Sequence, residues 1–485
     1  MAMAELQTPA DWLKTLQAGP PSLVLVLSDL HLGLGQDAVT RRYARTENFF
    51  ADRLFGLLLE AEQRAGALLV LNGDTFDFLR ITSWPREDDQ FKEWSRVLTD
   101  LGKPRDVDTL RRNISAKERK FGLQTDDYKS VWKLQQIARG HQEFFVALAR
   151  WITQDGLILF VKGNHDLELY WPLVQAGVRA AIETGGATPT AVIARTFFCD
   201  DAFSLANLYV EHGHRFEPLT EVAGPPTLPG NQNQLTLPLG SFVNRYLINP
   251  VERLEPFLDN FKPVTNVLWL LLRRHPVKAF GILWRSSRFI LRAVRARRVV
   301  AGAGVLLYIG ALLVPALTIA LIVLAFAWPV AGQRVAAAFG RTRALWGVLG
   351  LVAPYLVGAA RDLIPKRRPR VGEDRLAEGA YAALDARGGS HSGATLYAIL
   401  GHTHEQDVQR LPNIRRTPVL YINSGTWVPL WDDERPDQVG QILYPFLRFS
   451  WNGRDAYTHE YLEWGKGRGP TDQPVILERA GTTPR

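Results

Sequence analysis

Five short polar motifs, each lying directly behind a run of Val, Ile and Leu, constrain the fold of this chain more than any other feature. In order, "SLVLVL" runs into "SDLHLG", "ALLVL" into "NGDTFDF", "LILFV" into "KGNHD", "NLYV" into "EHGHRF" and "TLYAIL" into "GHTHE". A sixth run, "VLYI", leads into "NSGTW". Short apolar runs of this kind read as strands covered on both faces. Helical patterns at Glu47–Ala65 and Tyr128–Ile152 separate the early ones, so the expectation is a layered α/β core. The polar stretch Ile81–Asp127 is too long for a plain connector and reads as a cap over a site. "GPPTLPGNQNQLTLPLG", from Gly224 to Gly240, reads as a loop.

The residues behind the strands share one chemistry. They are Asp29 and His31; Asp74; Asn164, His165 and Asp166; His212 and His214; and His402 and His404. Six of the ten histidines sit in these five places. Strand ends are where α/β folds place ligands, because loops there vary over a rigid sheet. Imidazole and carboxylate together suit Mn, Fe or Zn, and the absence of sulfur argues against a structural zinc site. Cys199 is the only cysteine, which excludes an internal disulfide and a thiolate cluster. The candidate ligands are too many for one four-coordinate ion and suit two ions sharing a carboxylate. Gly73, Gly163, Gly213 and Gly401 permit close approach of backbone to the ions. Asp29 and His31, like His402 and His404, are two residues apart. In extended backbone that spacing projects both side chains to one side.

As an ordered set, D-x-H, G-D, G-N-H-D, a further His and G-H-x-H, the series resembles the calcineurin-like metallophosphoesterases. "NSGTW" resembles the family's closing motif. The resemblance implies a metallophosphoesterase fold, a β-sandwich of two mixed sheets flanked by helices, with two divalent metals at the strand ends. It implies that Asp29, His31 and His404 bind one ion, that Asp74 bridges, and that Asn164, His212 and His402 bind the other. It gives His165 the task of stabilising charge or protonating the leaving oxygen, with Asp166 orienting its ring. His214 is left to touch substrate or to support the ligands from behind. The implied reaction is hydrolysis of a phosphomonoester, phosphodiester or pyrophosphate by metal-activated water, Mn being the first choice of metal and Fe or Zn the others. UDP-2,3-diacylglucosamine hydrolases are distantly similar in "SDLHLG". They carry Arg where this chain has His165, are shorter and lack its insert.

That insert is the second constraint. Two parts of the core, 22–223 and 394–465, flank a basic, apolar segment at 241–371. Between Lys262 and Arg370 there are 18 Lys or Arg and one acid, Asp362, although the whole chain carries only +8. The remainder is therefore acidic, which disfavours nucleic acid as a partner, since such sites concentrate Lys and Arg near the chemistry. Val299–Gln333 contains no charged residue, and about 20 apolar residues suffice to span a bilayer. Residues 264–360 are expected to engage membrane lipid, Val264–Arg298 as an interfacial helix. Since motifs of one site lie on both sides, an even number of crossings, or none, is required. Arg285–Arg298 and Arg361–Arg370 hold 11 Lys or Arg against three in the connecting loop. With an N-terminus that lacks a secretory pattern, this places the catalytic domain on the cytoplasmic side. A tethered site suggests a lipid-linked phosphorylated substrate. The alternatives are a catalytically silent scaffold of the same fold and a nuclease.

Overall fold

The computed structural model describes residues 9–222, 224–252, 375–387, 394–429, 442–464 and 475–479. The chain divides into two compact units, Met1–Arg245 with Val371–Arg485, and Tyr246–Arg370. The first carries all five motifs and fourteen described strands. They are β1 Leu23–Leu27, β2 Leu68–Asn72, β3 Leu157–Val161, β4 Thr196–Cys199, β5 Ala202–Leu205, β6 Leu208–Glu211, β7 Thr227–Leu228, β8 Asn231–Leu235, β9 Leu396–Leu400, β10 Gln406–Ile414, β11 Thr417–Ser424, β12 Pro445–Trp451, β13 Tyr457–Glu463 and β14 Val475–Arg479.

Two mixed sheets form the core. One has the order β14-β13-β12-β1-β2-β3-β4, the other β10-β11-β9-β6-β5. In the first, β1 to β4 run parallel, while β12 joins β1 antiparallel with Leu25 opposite Arg448. In the second, β6, β9 and β11 are parallel and β5 and β10 close the edges antiparallel.

Side-chain alternation explains why the strand sequences are apolar throughout. Val24 and Val26, Leu68 and Val70, and Leu159 and Val161 pack with Leu208, Val210, Tyr397 and Ile399 of the facing sheet in one buried cluster. Their neighbours Leu23, Leu25, Leu27, Leu69, Leu71, Ile158 and Phe160 belong to a second cluster with helical Phe55, Leu58, Phe144, Leu148 and Trp151. On the far side, Leu396, Ala398 and Leu400 meet Leu376, Ala380 and Leu384 of the helix Arg375–Arg387. Period-two alternation with both faces buried yields a helix–sheet–sheet–helix stack. Each fully buried Leu or Phe contributes about 1.5–3 kcal/mol.

Several local expectations change. The pattern Glu47–Ala65 condenses to one helix, Asp52–Glu62, and Tyr128–Ile152 splits into Asp127–Gly140 and Gln142–Thr153. The Gly224–Gly240 stretch contains the β7–β8 hairpin, because Gly230 at φ 89° supplies the turn. The Ile81–Asp127 stretch forms three helices, Asp88–Asp100, Val107–Arg112 and Ala116–Phe121. The Arg245 guanidinium donates to the carbonyls of Gly122 and Leu123, fixing the end of the core to that stretch. Beyond 252 the membrane-directed insert lies outside the described residues. Among the described residues no helix is long and apolar enough to cross a membrane.

His141, between the two split helices, is fully buried against carboxylates. Its Nδ1 lies 2.9 Å from Asp52 Oδ1 and its Nε2 3.5 Å from Glu47 Oε2. Glu47 in turn accepts from the backbone N–H groups of Gly33, Asn48 and Phe49 at 3.2, 3.0 and 2.9 Å, and also from that of Gly35. The network thus holds the loop that follows His31. Burial disfavours the charged imidazole, but Glu47 and Asp52 outweigh it and raise the His141 pKa to about 10. A raised folded pKa gives stability that is complete below the unfolded value near 6.5 and is lost as pH rises through about 10. Each tenfold gain in proton affinity on folding is worth about 1.4 kcal/mol. Raising the pH from 6.5 to 10 should therefore cost the wild type a few kcal/mol, read as a fall in thermal unfolding temperature. His141→Asn, less stable at pH 6.5, should show a flatter profile. Parallel profiles for the two proteins would rule the ion pair out.

Candidate metal centre

All five motifs meet where the two sheets present the ends of β1, β2, β3, β6 and β9. Three overlapping groups have ligand atoms within 4.8 Å of one another: Asp29, His31 and His404; His31, Asp74 and His165; and Asp74, His212 and His402. His31 Nε2 is 3.0 Å from His404 Nε2, and His404 Nε2 is 3.3 Å from Asp29 Oδ1. On the other side, His212 Nε2 is 3.1 Å from Asp74 Oδ2, while Asp74 Oδ2 is 3.8 Å from His31 Nε2. Asp74 therefore stands between the outer groups.

The backbone reaches this arrangement differently from the extended spacing expected. Asp29, His31, Asp74, His402 and His404 have φ of 54°, 52°, 49°, 73° and 62°. The pairs converge through left-handed turns, a conformation that costs an L residue about 1–3 kcal/mol and clusters at functional sites. Compensation comes from hydrogen bonds. Asp29 N–H donates to Gly73 O at 3.1 Å, His31 N–H to Asp74 O at 2.8 Å and His402 N–H to Asp29 Oδ2 at 2.9 Å. Glycine is required beside them. A Cβ on Gly73, itself at φ 80°, would lie 2.4 Å from the His212 ring, and one on Gly163 would lie 2.2 Å from Asp74 Oδ1.

The ligands are oriented from behind. His212 Nδ1 lies 2.9 Å from Asn72 O, which fixes the tautomer and directs Nε2 to Asp74. His402 Nε2 is engaged by Thr220 Oγ1 at 3.1 Å and Glu217 Oε2 at 3.2 Å, leaving its Nδ1 to offer a cation. "NSGTW" braces the two terminal motifs: Asn423 Nδ2 donates to Gly401 O at 2.7 Å, and Thr426 Oγ1 to Asp29 O at 2.6 Å.

Two residues take places the sequence did not suggest. Asp166 is fully buried, and its carboxylate accepts from the backbone N–H groups of Gly163 at 2.6 Å and Thr75 at 2.9 Å. It ties two motif loops together and does not orient His165. The carboxylate beside His165 is Asp77, whose Oδ2 lies 3.1 Å from His165 Nδ1 and 3.3 Å from His31 Nδ1. Arg80 Nε anchors the same oxygen at 3.0 Å. The second Asp of "NGDTFDF" was the available signal. Asn164 and His214 are buried, and the His214 ring centroid is 5.6 Å from that of His212.

The donor set fits divalent cations on two grounds. Among the described residues Asn164 Oδ1 is buried without a hydrogen-bond partner, and the buried Asp29 Oδ1 and His212 Nε2 face other members of the centre, an arrangement that is costly unless a cation is the partner. Electrostatics agree. Burial raises the carboxyl pKa of Asp29, but His212, His31 and His404 outweigh it and hold it well below the usual range. Asp74 is depressed likewise against burial by His212 and His165. Reciprocally, burial lowers the imidazoles, yet Asp29 and Asp77 raise His31 well above normal, and Asp74 and Asp29 raise His212 to about 9. In the cation-free protein, protons on these rings offset the buried carboxylates. Burial and Asp74 push Asp166 up to about 7.

Cations entering the site must displace the ring protons. Mn affinity should therefore rise with pH between about 6.5 and 9, by roughly tenfold per pH unit for each proton released. Calorimetry in buffers of different ionisation enthalpy measures the protons directly. An affinity independent of pH across that window would contradict the protonated state.

No family model matches the chain, and no curated protein matches it. The described structure defines a mixed α/β core, two sheets flanked by helices, with a buried His/Asp centre suited to metal ions.

Proposed function

We propose that this chain is a dinuclear metal-dependent phosphoesterase of calcineurin-like type, tethered to a membrane through residues 264–360. One observation carries the reading: three overlapping ligand groups, assembled from both flanks of the insert, share Asp74 and His31. Divalent cations there would bring the pKa of water toward neutrality and neutralise the phosphoryl oxygens. The chain's own residues supply the rest. Asp74, placed between the groups, fixes their separation. His165 is within the middle group, and Asp77 and Asp74 raise its pKa against burial, which favours the protonated ring. With Asp77 against Nδ1, Nε2 is the nitrogen that donates to the leaving oxygen as water adds to phosphorus and the P–O bond breaks. Asp166 and Asn423 keep the loops in register.

The tether reading rests on parity. The residues from Asp29 to His212 and those at His402 and His404 meet at one centre, so the intervening chain would cross a bilayer an even number of times or not at all. The charge distribution favours the core on the cytoplasmic side, facing a lipid-linked phosphorylated substrate.

The test uses the full chain in detergent, loaded with Mn, Fe or Zn and assayed on p-nitrophenyl phosphate and bis-p-nitrophenyl phosphate. The expected result is two ions per chain and turnover of at least one ester. Failure to bind metal or turn over either ester with any of the three would end the enzyme reading. Membranes washed with carbonate should retain the protein, and release by carbonate would reduce the insert to a surface attachment.

A further inference from the structure

A cavity of about 240 Å³ adjoins the metal centre. His214, Lys162, Tyr170, Asp200, Leu235 and Thr236 are among the residues that line it. The link to the chemistry is short, since the His214 ring centroid lies 5.6 Å from that of His212, tilted by 43°, and Lys162 immediately precedes Gly163 and Asn164. Two lining side chains carry a buried polar atom. Among the described residues His214 Nδ1 and Thr236 Oγ1 have no hydrogen-bond partner, although the residues are only 6% and 8% exposed. Each such group costs about 1–3 kcal/mol until something pairs with it.

The charges of the lining narrow what that partner can be. Lys162 Nζ lies 3.3 Å from Asp200 Oδ1, and Asp201 brings a second carboxylate to the wall. A second phosphate would meet these carboxylates and be repelled. An acyl chain would desolvate the Lys162–Asp200 pair and Asp201 without replacing their hydrogen bonds to water. Hydroxyl groups suit both features, since each can donate to a carboxylate and accept from the ammonium. Leu167 and Leu235, packed with Tyr170 in one small apolar cluster, offer a surface for the C–H face of a ring. The volume lies just below the range of pockets that hold drug-sized ligands, which suits a single ring.

We propose that this cavity receives the leaving group of the substrate and takes a neutral polyhydroxylated ring joined through oxygen to phosphorus, that is, a sugar phosphate ester. The inference rests on the phosphoesterase reading and names its substrate class. Two measurements keep the two apart. In the first, the Mn-loaded full chain hydrolyses D-glucose 1-phosphate and, separately, phenyl phosphate. In Thr236→Val and Asp200→Asn, kcat/KM for the sugar ester is expected to fall about tenfold or more, mainly through KM, while phenyl phosphate changes less than twofold. In the second, saturation-transfer NMR follows methyl α-D-glucopyranoside with the metal-free chain, where wild type gives a signal and both variants lose it. Glucoside binding without hydrolysis of either ester would uphold the cavity and remove the phosphoesterase reading. Hydrolysis with no glucoside signal, or with equal losses on both esters, would overturn the cavity assignment alone. If neither binding nor hydrolysis is seen, both fall.

Discussion

Under the proposed dinuclear phosphoesterase reading, Asp74→Asn should lower turnover of a phosphoester by about 10³-fold and reduce the bound metal from two ions to one or none. The substitution preserves side-chain volume at a position only 1% exposed, so packing is not its target. It removes the carboxylate that stands 3.1 Å from His212 Nε2 and 3.8 Å from His31 Nε2. Its effect is larger than that of losing a peripheral ligand because both ends of the centre depend on it. An amide is a weaker acceptor and carries no charge to offset two cations. Metal content by mass spectrometry and turnover of p-nitrophenyl phosphate, with thermal unfolding as the control for fold, decide the matter. Full metal content with unchanged turnover would show that Asp74 bridges nothing.

Asp77→Asn is the second large effect, and its signature differs. Asp77 touches no candidate cation group as a member, yet its Oδ2 lies against His31, His165 and Arg80 at once. Loss of a carboxylate behind a ligating histidine typically weakens metal affinity about 10–100-fold. Weakening the buried contact between Asp77 and Arg80 should also lower the thermal unfolding temperature. Beyond these, His165 loses the group that holds its proton. The deficit should therefore be greater for phenyl phosphate, a poor leaving group, than for p-nitrophenyl phosphate at saturating metal. An equal deficit on the two esters would confine Asp77 to the metals.

The sequence shows some features of this core and hides others, for identifiable reasons. β1, β2, β3, β6 and β9 are legible because strands buried on both faces must be apolar at every position. β10 is not, since "QDVQRLPNI" is an edge strand with mostly exposed or half-buried side chains and a Pro412. β12 and β13 alternate less cleanly because charged residues such as Arg448 and Glu460 pair across them at 2.8 Å. The convergence of Asp29, His31, Asp74, His402 and His404 was legible as spacing and motif, but the left-handed backbone that achieves it was not. Nothing in the residue types Asp and His demands positive φ; the surrounding hydrogen bonds impose it. Asp166 and Asp77 could not be ranked from sequence, because both are aspartates beside histidines and only the fold decides which carboxylate turns inward. The helix break at His141 follows from burying it between Glu47 and Asp52, a contact across 89 residues in the case of Asp52.

The parallel pairing of β6 with β9 has a temporal consequence. His31 and His404, whose ring nitrogens meet, are separated by 373 residues. At about 5–20 residues per second during synthesis, roughly 20–75 seconds pass between making the two. Asp29 for all of that interval, Asp74 for most of it and His212 for about its second half exist without the strand that completes their enclosure. The apolar insert is made within the same interval, ahead of β9. A nascent chain therefore exposes its greasiest segment to whatever environment it meets before the His/Asp cluster can close.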